Sequence, residues 1–474
     1  MKICLIAEGS YPFIMGGVSS WIHSLITGMP EHEFIIYAIG AQEKSKGNYV
    51  YELPPNVVQI KEVFLDAYLK EEADPGKRLS LSKEEQQAVL SLLDGSTANW
   101  HTLFSMLTQE KVPSVANFLT SKDFFEIIQK LCEQKYPQIP FTEMLWMIRS
   151  MVLPLCLIIK EGMPQADLYH SVCTGYGGVA GSLGKHLFGK PFLLTEHGIY
   201  TREREEEIIK ANWIKGHFKD IWIDYFYNLS KCAYSYADHV ITLFERNKEI
   251  QVELGCEQKK VTIIPNGVRV GDYQNLPQKK AEEPITIGAV VRVVPIKDIK
   301  TMIHSFALVK EQVPEARFMI MGPTDEDEEY YLECLQLVES LELEDVTFTG
   351  PVNVKEHLGK MDLLVLTSIS EGQPLVILEG MACSKPFVTT DVGSCRELLY
   401  GNGDGYGKAG ITVPVMHFAQ IAQAIITLCQ SEAMRLEMGE NGYKRVSDMY
   451  TNTNFLTAYR NLYREYEVQK PWQG

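Results

Sequence analysis

Short apolar runs recur along this chain, each ending in a turn bearing Gly or Pro and leading into a stretch with helical spacing. KICLIAE, residues 2–8, gives way to GSYPFIMGG and then to the helical pattern VSSWIHSLITGM. EFIIYAI, ADLYHSV, PFLLTEHG, HVITLF and KVTIIPNGV repeat the strand theme as far as Val268. Strand runs that alternate with helices predict parallel βαβ units. Residues 270–284 are polar, with Lys, Glu and two Pro and no hydrophobic period, and read as a linker. Apolar runs then restart at ITIGAVVRVV and continue through ARFMIMGP, DVTFTGPV, DLLVLTSIS, KPFVTTDVG and AGITVPV, each followed by a helix-capable stretch. The chain is therefore expected to hold two doubly wound α/β domains, residues 1–269 and 285–452, with an amphipathic helix over 453–474 that crosses back to the first domain.

Between about residues 42 and 165 the pattern changes. KEEQQAVLSLL, DFFEIIQKLCEQ and FTEMLWMIRSMVLPLCLII are helix-prone and strand signals are few, which predicts a mainly helical insertion in the first domain. Its most apolar stretch, Met144 to Ile159, is too short to span a bilayer and carries Arg149 and Pro154, so a core helix or a membrane-adjacent one is expected. The N-terminus has no long apolar region or small-residue cleavage site and reads as a first buried strand.

The 474 residues carry a net charge of −16, which repels phosphate backbones and argues against a nucleic-acid partner. The 10 cysteines include no C-x-x-C pair, so neither a disulfide framework nor a zinc site is indicated and a reducing cytoplasm is expected.

Candidate chemistry concentrates in SISEGQPLVILEGMAC, residues 368–383. A strand delivers the chain to Glu371 and Gly372, and a helix begins near Pro374, so free backbone N–H groups there point at whatever lies above the strand end and would hold a diphosphate. Glu379 follows two helical turns after Glu371, and two such carboxylates suit the hydroxyls of a sugar and a ribose. The structural alternative is that Glu371 favours the helix start electrostatically and Glu379 lies on a solvated face. In VVRVVPIKDIKT, Arg292 and Lys297 sit between a strand and a helix starting near Ile299, placed to neutralise a leaving diphosphate or else an exposed basic pair. Gly16 and Gly17 open the first helix and let backbone approach an anion, without the G-x-G-x-x-G pattern of a dinucleotide site.

GGVSSW, IPNGV, RVVPIK and EGQPLVILEGMAC together resemble the retaining, nucleotide-sugar-dependent glycosyltransferases of family GT4, which have the GT-B fold. AEGSYPFIMGGVSSW, TEHGIYTRERE, VVRVVPIKDIKT and GPTDEDEEYY are similar to the cytosolic members serving Pel exopolysaccharide synthesis, over nearly the whole chain. The resemblance implies two Rossmann-like domains facing a central cleft, an acceptor domain first and a donor domain second, that would close about the linker. It implies a UDP-sugar donor, with UDP-glucose favoured, and a polysaccharide or sugar acceptor. It also implies an inner-membrane Pel synthase complex as partner, with the Met144–Ile159 segment as the docking element at the inner face of the membrane.

Site roles carried over by the resemblance place Glu371 on the transferred sugar, Glu379 on the ribose, and Arg292 and Lys297 on the donor phosphates. Backbone amides near Gly372, Leu375 and Val376 complete the phosphate cradle, and the base lies against the loop at Phe348–Val352. Gly16 and Gly17 face phosphate and sugar, and His197 matches the family's active-site histidine. A histidine after an apolar strand can equally be a packing residue, and Glu196, Gly198, Arg202 and Arg204 around it favour the functional reading. Thr174–Gly181 approaches substrate or serves tight helix packing. The acidic run Asp325–Glu329 tempts a metal assignment, but acidic residues at a helix start need no metal, and neither metal nor cofactor is expected. An epimerase or dehydrogenase would need the missing dinucleotide turn and a Tyr-x-x-x-Lys pair. A non-catalytic UDP-sugar-binding subunit is disfavoured by intact Glu371, Arg292 and Lys297.

Overall fold

The computed structural model describes residues 1–66, 79–109, 112–280 and 282–468. Residues 67–78 and 110–111 of the expected insertion, residue 281 of the expected linker and residues 469–474 of the terminal helix lie outside the described residues. The chain divides into two compact units: residues 1–242, 247–263 and 460–474, and residues 243–246 and 264–459. Segment 270–284, expected as the linker, thus falls inside the second unit, and Val270–Tyr273 forms a turn of 3₁₀ helix there. The helix Asn452–Val468 has residues in both units.

The first unit is built on seven parallel strands, β1 (Lys2–Glu8), β2 (Glu33–Gly40), β3 (Val57–Phe64), β4 (Leu168–Ser171), β5 (Phe192–Glu196), β6 (His239–Thr242) and β7 (Val261–Ile263), in the order 3-2-1-4-5-6-7. The central strands are buried almost end to end, since helices cover both faces of a parallel sheet. β3 lies within the mainly helical stretch 42–165 and is a strand that the hydrophobic pattern did not single out. Its sequence VVQIKEVF is charged and half exposed because it is an edge strand with one hydrogen-bonded neighbour, which removes the continuous apolar run that marks an interior strand.

From Lys83 the insertion is helical. Its longest helix runs Phe141–Glu161, 21 residues against the 16 of the apolar stretch alone, and by length and mean hydropathy of 1.6 it is long enough to cross a membrane. The expectation of a segment too short is therefore corrected, because the helix extends past both ends of the apolar run. Met144, Ile148, Met151, Leu155 and Ile158 of this helix are buried in the core of the unit.

The second unit has six parallel strands, β8 (Thr286–Val290), β9 (Arg317–Met321), β10 (Val346–Gly350), β11 (Leu363–Leu366), β12 (Phe387–Thr390) and β13 (Gly410–Val413), ordered 10-9-8-11-12-13. Each sheet reverses its winding direction once, between β1 and β4 in the first and between β8 and β11 in the second. In doubly wound sheets the carboxyl ends of the strands at such a switch point hold the ligand crevice.

Candidate active site

β8 and β11 are hydrogen-bonded neighbours, with Leu363 opposite Ile287 and Leu364 opposite Gly288, so the loops leaving their carboxyl ends are forced together. The loops are stitched at backbone level: Ile369 N–H donates to Ile296 O at 2.9 Å, and the Thr367 hydroxyl donates to Lys297 O and Asp298 O, both at 3.0 Å. Thr390 at the end of β12 donates to Ser368 O at 2.6 Å from the other side. Held this way, Lys297 Nζ donates to Glu371 Oε1 at 2.5 Å, and the Ser368 hydroxyl donates to the same oxygen at 2.5 Å. The Lys297 and Glu371 side chains are only 17% and 10% exposed. A charge pair this sheltered needs its partner, because either charge alone would be left poorly solvated.

Glu371 stands four residues before the helix Leu375–Ala382. That helix starts at Pro374 with no side-chain cap and no acidic residue in its first turn. Its first N–H groups are those a helix cannot satisfy internally, which makes the turn at Leu375 and Val376 suited to an anion. Between them Gly372 O accepts from Ser394 N–H at 3.0 Å, and a Cβ at Gly393 would collide with the carbonyls of Glu371 and Gly372. Gly393 also has φ +53°, so both its conformation and the close approach require glycine there.

The other donor-side candidates share this sheet edge but not this contact. Arg292 turns to Glu326, with Nη1 donating at 2.5 and 2.6 Å to the two carboxylate oxygens, both side chains about half exposed. Glu379 lies on the helix after β11, hydrogen-bonded to the Tyr273 hydroxyl, and burial pushes its carboxyl pKa up. It is therefore not on a solvated face. Val352 follows β10 and packs half-buried on the core of the second unit. The acidic run Asp325–Glu329 has structural work: Asp327 caps the helix Glu328–Ser340 by accepting from Tyr330 N–H at 3.0 Å, and Glu326 holds Arg292.

In the first unit, Gly16 and Gly17 follow β1 at the switch point and open the helix Gly17–Thr27, which carries no side-chain cap; a Cβ at either glycine would meet open space. His197 follows β5 at the same sheet edge. Its ring meets Trp21 edge-on at 5.0 Å and 86°, its Nε2 is buried without a hydrogen-bond partner, and burial lowers its pKa to about 4, so it is neutral at physiological pH. His170, on β4 beside the same Trp21, is instead saturated, between the Tyr463 hydroxyl at 2.7 Å and the Thr195 hydroxyl at 2.8 Å. His197 thus differs from His170 in keeping one buried ring nitrogen open to a further hydrogen bond. Thr174–Gly181 follows the packing alternative: Cβ atoms at Gly178 and Gly181 would press on Ala233 and the Phe192 ring. Arg204 lies over the Tyr200 ring and pairs with Glu207 at 2.6 Å, whereas Arg202 is exposed.

Ser368, Gly393, Tyr273 and Trp21 take part in these sites and were not singled out in the sequence. Ser368 lies within the SISEG segment and Trp21 within GGVSSW, so both stood inside recognised motifs. Gly393 closes the run KPFVTTDVG, whereas nothing local marks Tyr273, and the two reach Glu371 and Glu379 respectively only through the fold.

Residues 1–259 match the family described as "Domain of unknown function (DUF3492)", and residues 274–445 match "Glycosyl transferases group 1". The chain belongs to the DUF3492 family. Its second half, with Lys297 and Glu371, is a glycosyl transferases group 1 domain, and the chain is an enzyme, a GT4-type glycosyltransferase with the GT-B fold. Among related proteins, the uncharacterized glycosyltransferase MJ1178 of Methanocaldococcus jannaschii is 28% identical over 319 residues, 65% of this chain and 77% of that one. The N-acetyl-alpha-D-glucosaminyl L-malate synthase of Bacillus anthracis is 30% identical over 170 residues, 35% of this chain and 42% of that enzyme, so the match spans less than half of this relative. The crystal structure of Anabaena Alr3699/HepE in complex with UDP-glucose superposes with a TM-score of 0.60 at 14% identity, covering 98% of this chain and all of that one.

Proposed function

We propose that this glycosyltransferase moves a hexose from a UDP-sugar, UDP-glucose before UDP-N-acetylgalactosamine, to a sugar or polysaccharide acceptor with retention of anomeric configuration. The observation that carries the reading is the sheltered Lys297–Glu371 pair at the β8/β11 switch point, four residues before an uncapped helix start. Lys297, Arg292 and the amides of Leu375 and Val376 hold the diphosphate. As the bond between the anomeric carbon and the phosphate oxygen breaks, negative charge grows on that oxygen, where fixed cations and N–H dipoles lower the barrier. Glu371 takes sugar hydroxyls in exchange for its present partners, Glu379 takes the ribose, and the base rests at Val352. Gly16 and Gly17 present backbone to phosphate and sugar, and His197, neutral with Nε2 free, accepts or donates one hydrogen bond to the sugar. The departing phosphate receives the acceptor's proton as the acceptor oxygen bonds the anomeric carbon from the same face.

HepE was crystallised with UDP-glucose, which supports that donor here. The resemblance of AEGSYPFIMGGVSSW and TEHGIYTRERE to members serving Pel exopolysaccharide synthesis is what suggests a cytoplasmic enzyme of that type, peripheral to an inner-membrane synthase complex. No metal is assigned a step, and turnover is expected to survive EDTA. Purified protein incubated with a panel of UDP-sugars should release UDP with one UDP-hexose, and Glu371→Ala should abolish the release. Tight UDP-sugar binding without turnover, with any acceptor offered, would instead make the chain a binding subunit.

A further inference from the structure

A ring cluster that no role above uses lies where the loops after β1 and β2 meet. Val50 N–H donates to Pro12 O at 3.0 Å and ties the two loops together. Tyr51 lies 5.1 Å from both Tyr11 and His23, ring to ring, and Phe13 lies 6.0 Å from Tyr49 and 5.8 Å from the Phe64 ring. Tyr11 is wholly buried and floors the cluster, while Val50 at 45%, Ile14 at 55% and Met15 at 73% exposure flank it. The Tyr51 hydroxyl sits 3.3 Å from the Ser20 hydroxyl, on the helix that Gly16 and Gly17 open. Large apolar side chains left in water beside a cluster of mutually tilted rings mark a surface that meets something.

The chemistry of the surface narrows what it meets. Tyrosine rings offer flat apolar faces with hydroxyls at their rims, which match the C–H faces and hydroxyl edges of a pyranose. Glu62, the carboxylate bonded to Tyr49, and a chain charge of −16 disfavour a phosphorylated or polyanionic ligand. The cluster follows the carboxyl ends of β1 and β2, the sheet edge that also carries Gly16, Gly17 and His197.

We propose that Tyr49, Val50 and Tyr51, with Ile14 and Met15, form a platform that binds a neutral oligosaccharide, which, given the glycosyl-transfer reading above, is the acceptor chain. Tyr51 supplies the stacking face and Ser20 with the tyrosine hydroxyls the polar edge.

The test is ligand-observed NMR on the full chain with maltotetraose and chitotetraose as probes, alongside UDP titration. At least one tetrasaccharide should bind the parent protein. Tyr51→Ala should weaken that binding about 10-fold, the loss expected for one aromatic stacking contact. Tyr51→Phe should keep most of it, and Val50→Asp, an exposed change that leaves the backbone bond intact, should abolish it. UDP affinity should not move in any variant. Failure of both tetrasaccharides to bind a protein that binds UDP overturns the platform, as does Tyr51→Ala or Val50→Asp binding like the parent, or Tyr51→Phe binding as poorly as Ala. Loss of UDP binding in the parent with Tyr51-dependent tetrasaccharide binding retained would sink the donor assignment and leave the platform standing.

Discussion

Lys297→Ala is the perturbation most sensitive to the arrangement of the site. It removes the ammonium 2.5 Å from Glu371 Oε1 and leaves that carboxylate with the Ser368 hydroxyl as its remaining named donor. Breaking a fully buried pair costs about 3–5 kcal/mol. With the two side chains 17% and 10% exposed, residual solvation brings the expected loss to about 2–3 kcal/mol. For a unit of this size that lowers Tm by about 5–10 °C. The catalytic loss is separate: deleting one preorganised charge-stabilising group typically costs about 10²–10³-fold in kcat. A UDP-release assay and thermal unfolding on the same preparations measure both. The variant Lys297→Met with Glu371→Gln separates them, because replacing a sheltered pair by neutral groups of similar shape is nearly neutral for stability. Its Tm should return towards the parent value while turnover stays down. Turnover within a few-fold of the parent in Lys297→Ala, or recovered turnover in the double variant, refutes the assignment.

His170 and His197 have folded pKa values of about 3 and about 4 against 6.5 unfolded, so between pH 6.5 and 4 the unfolded chain binds more protons and each ring withdraws stability as pH falls. Buried Glu8 and Glu196, raised by burial, act in the opposite sense, so the readout is the difference between parent and His197→Gln. In urea titrations that difference should change by about 1.4 kcal/mol per pH unit across the window, and a pH-independent difference would contradict a neutral buried His197. Glu326→Gln frees Arg292 from a half-exposed pair worth under about 1 kcal/mol, and donor KM should fall by up to a few-fold; an unchanged or higher KM would show that Arg292 does not reach the donor. Gly393→Ala forces a Cβ against the Glu371 and Gly372 carbonyls at positive φ, and should cut kcat more than it lowers Tm, whereas parent-like kinetics would deny that this loop sets Glu371.

The strand runs, their alternation with helices and the motif around Glu371 were legible in the sequence, because continuous apolar runs and Gly-bearing turns are local and a parallel sheet imposes them. KICLIAE, EFIIYAI and DLLVLTSIS each contain a strand where the pattern put one. β3 escaped because an edge strand need not be apolar, and the helix Phe141–Glu161 outgrew its apolar stretch because Phe141–Glu143 and Lys160–Glu161 extend it by less than a turn at each end, where polar residues interrupt the apolar run.

Partner choice was settled elsewhere. Arg292 and Lys297 look equivalent as cations five residues apart, yet strand order brings Lys297 to Glu371 through the β8–β11 adjacency while Arg292 turns to Glu326 on the β9 side. Likewise Tyr49 and Tyr51 are unremarkable letters until β1 and β2 pair and carry them to Tyr11 and Phe13. Local propensity chooses the elements; which side chains meet depends on contacts distant in sequence, and those exist only once the sheets have formed.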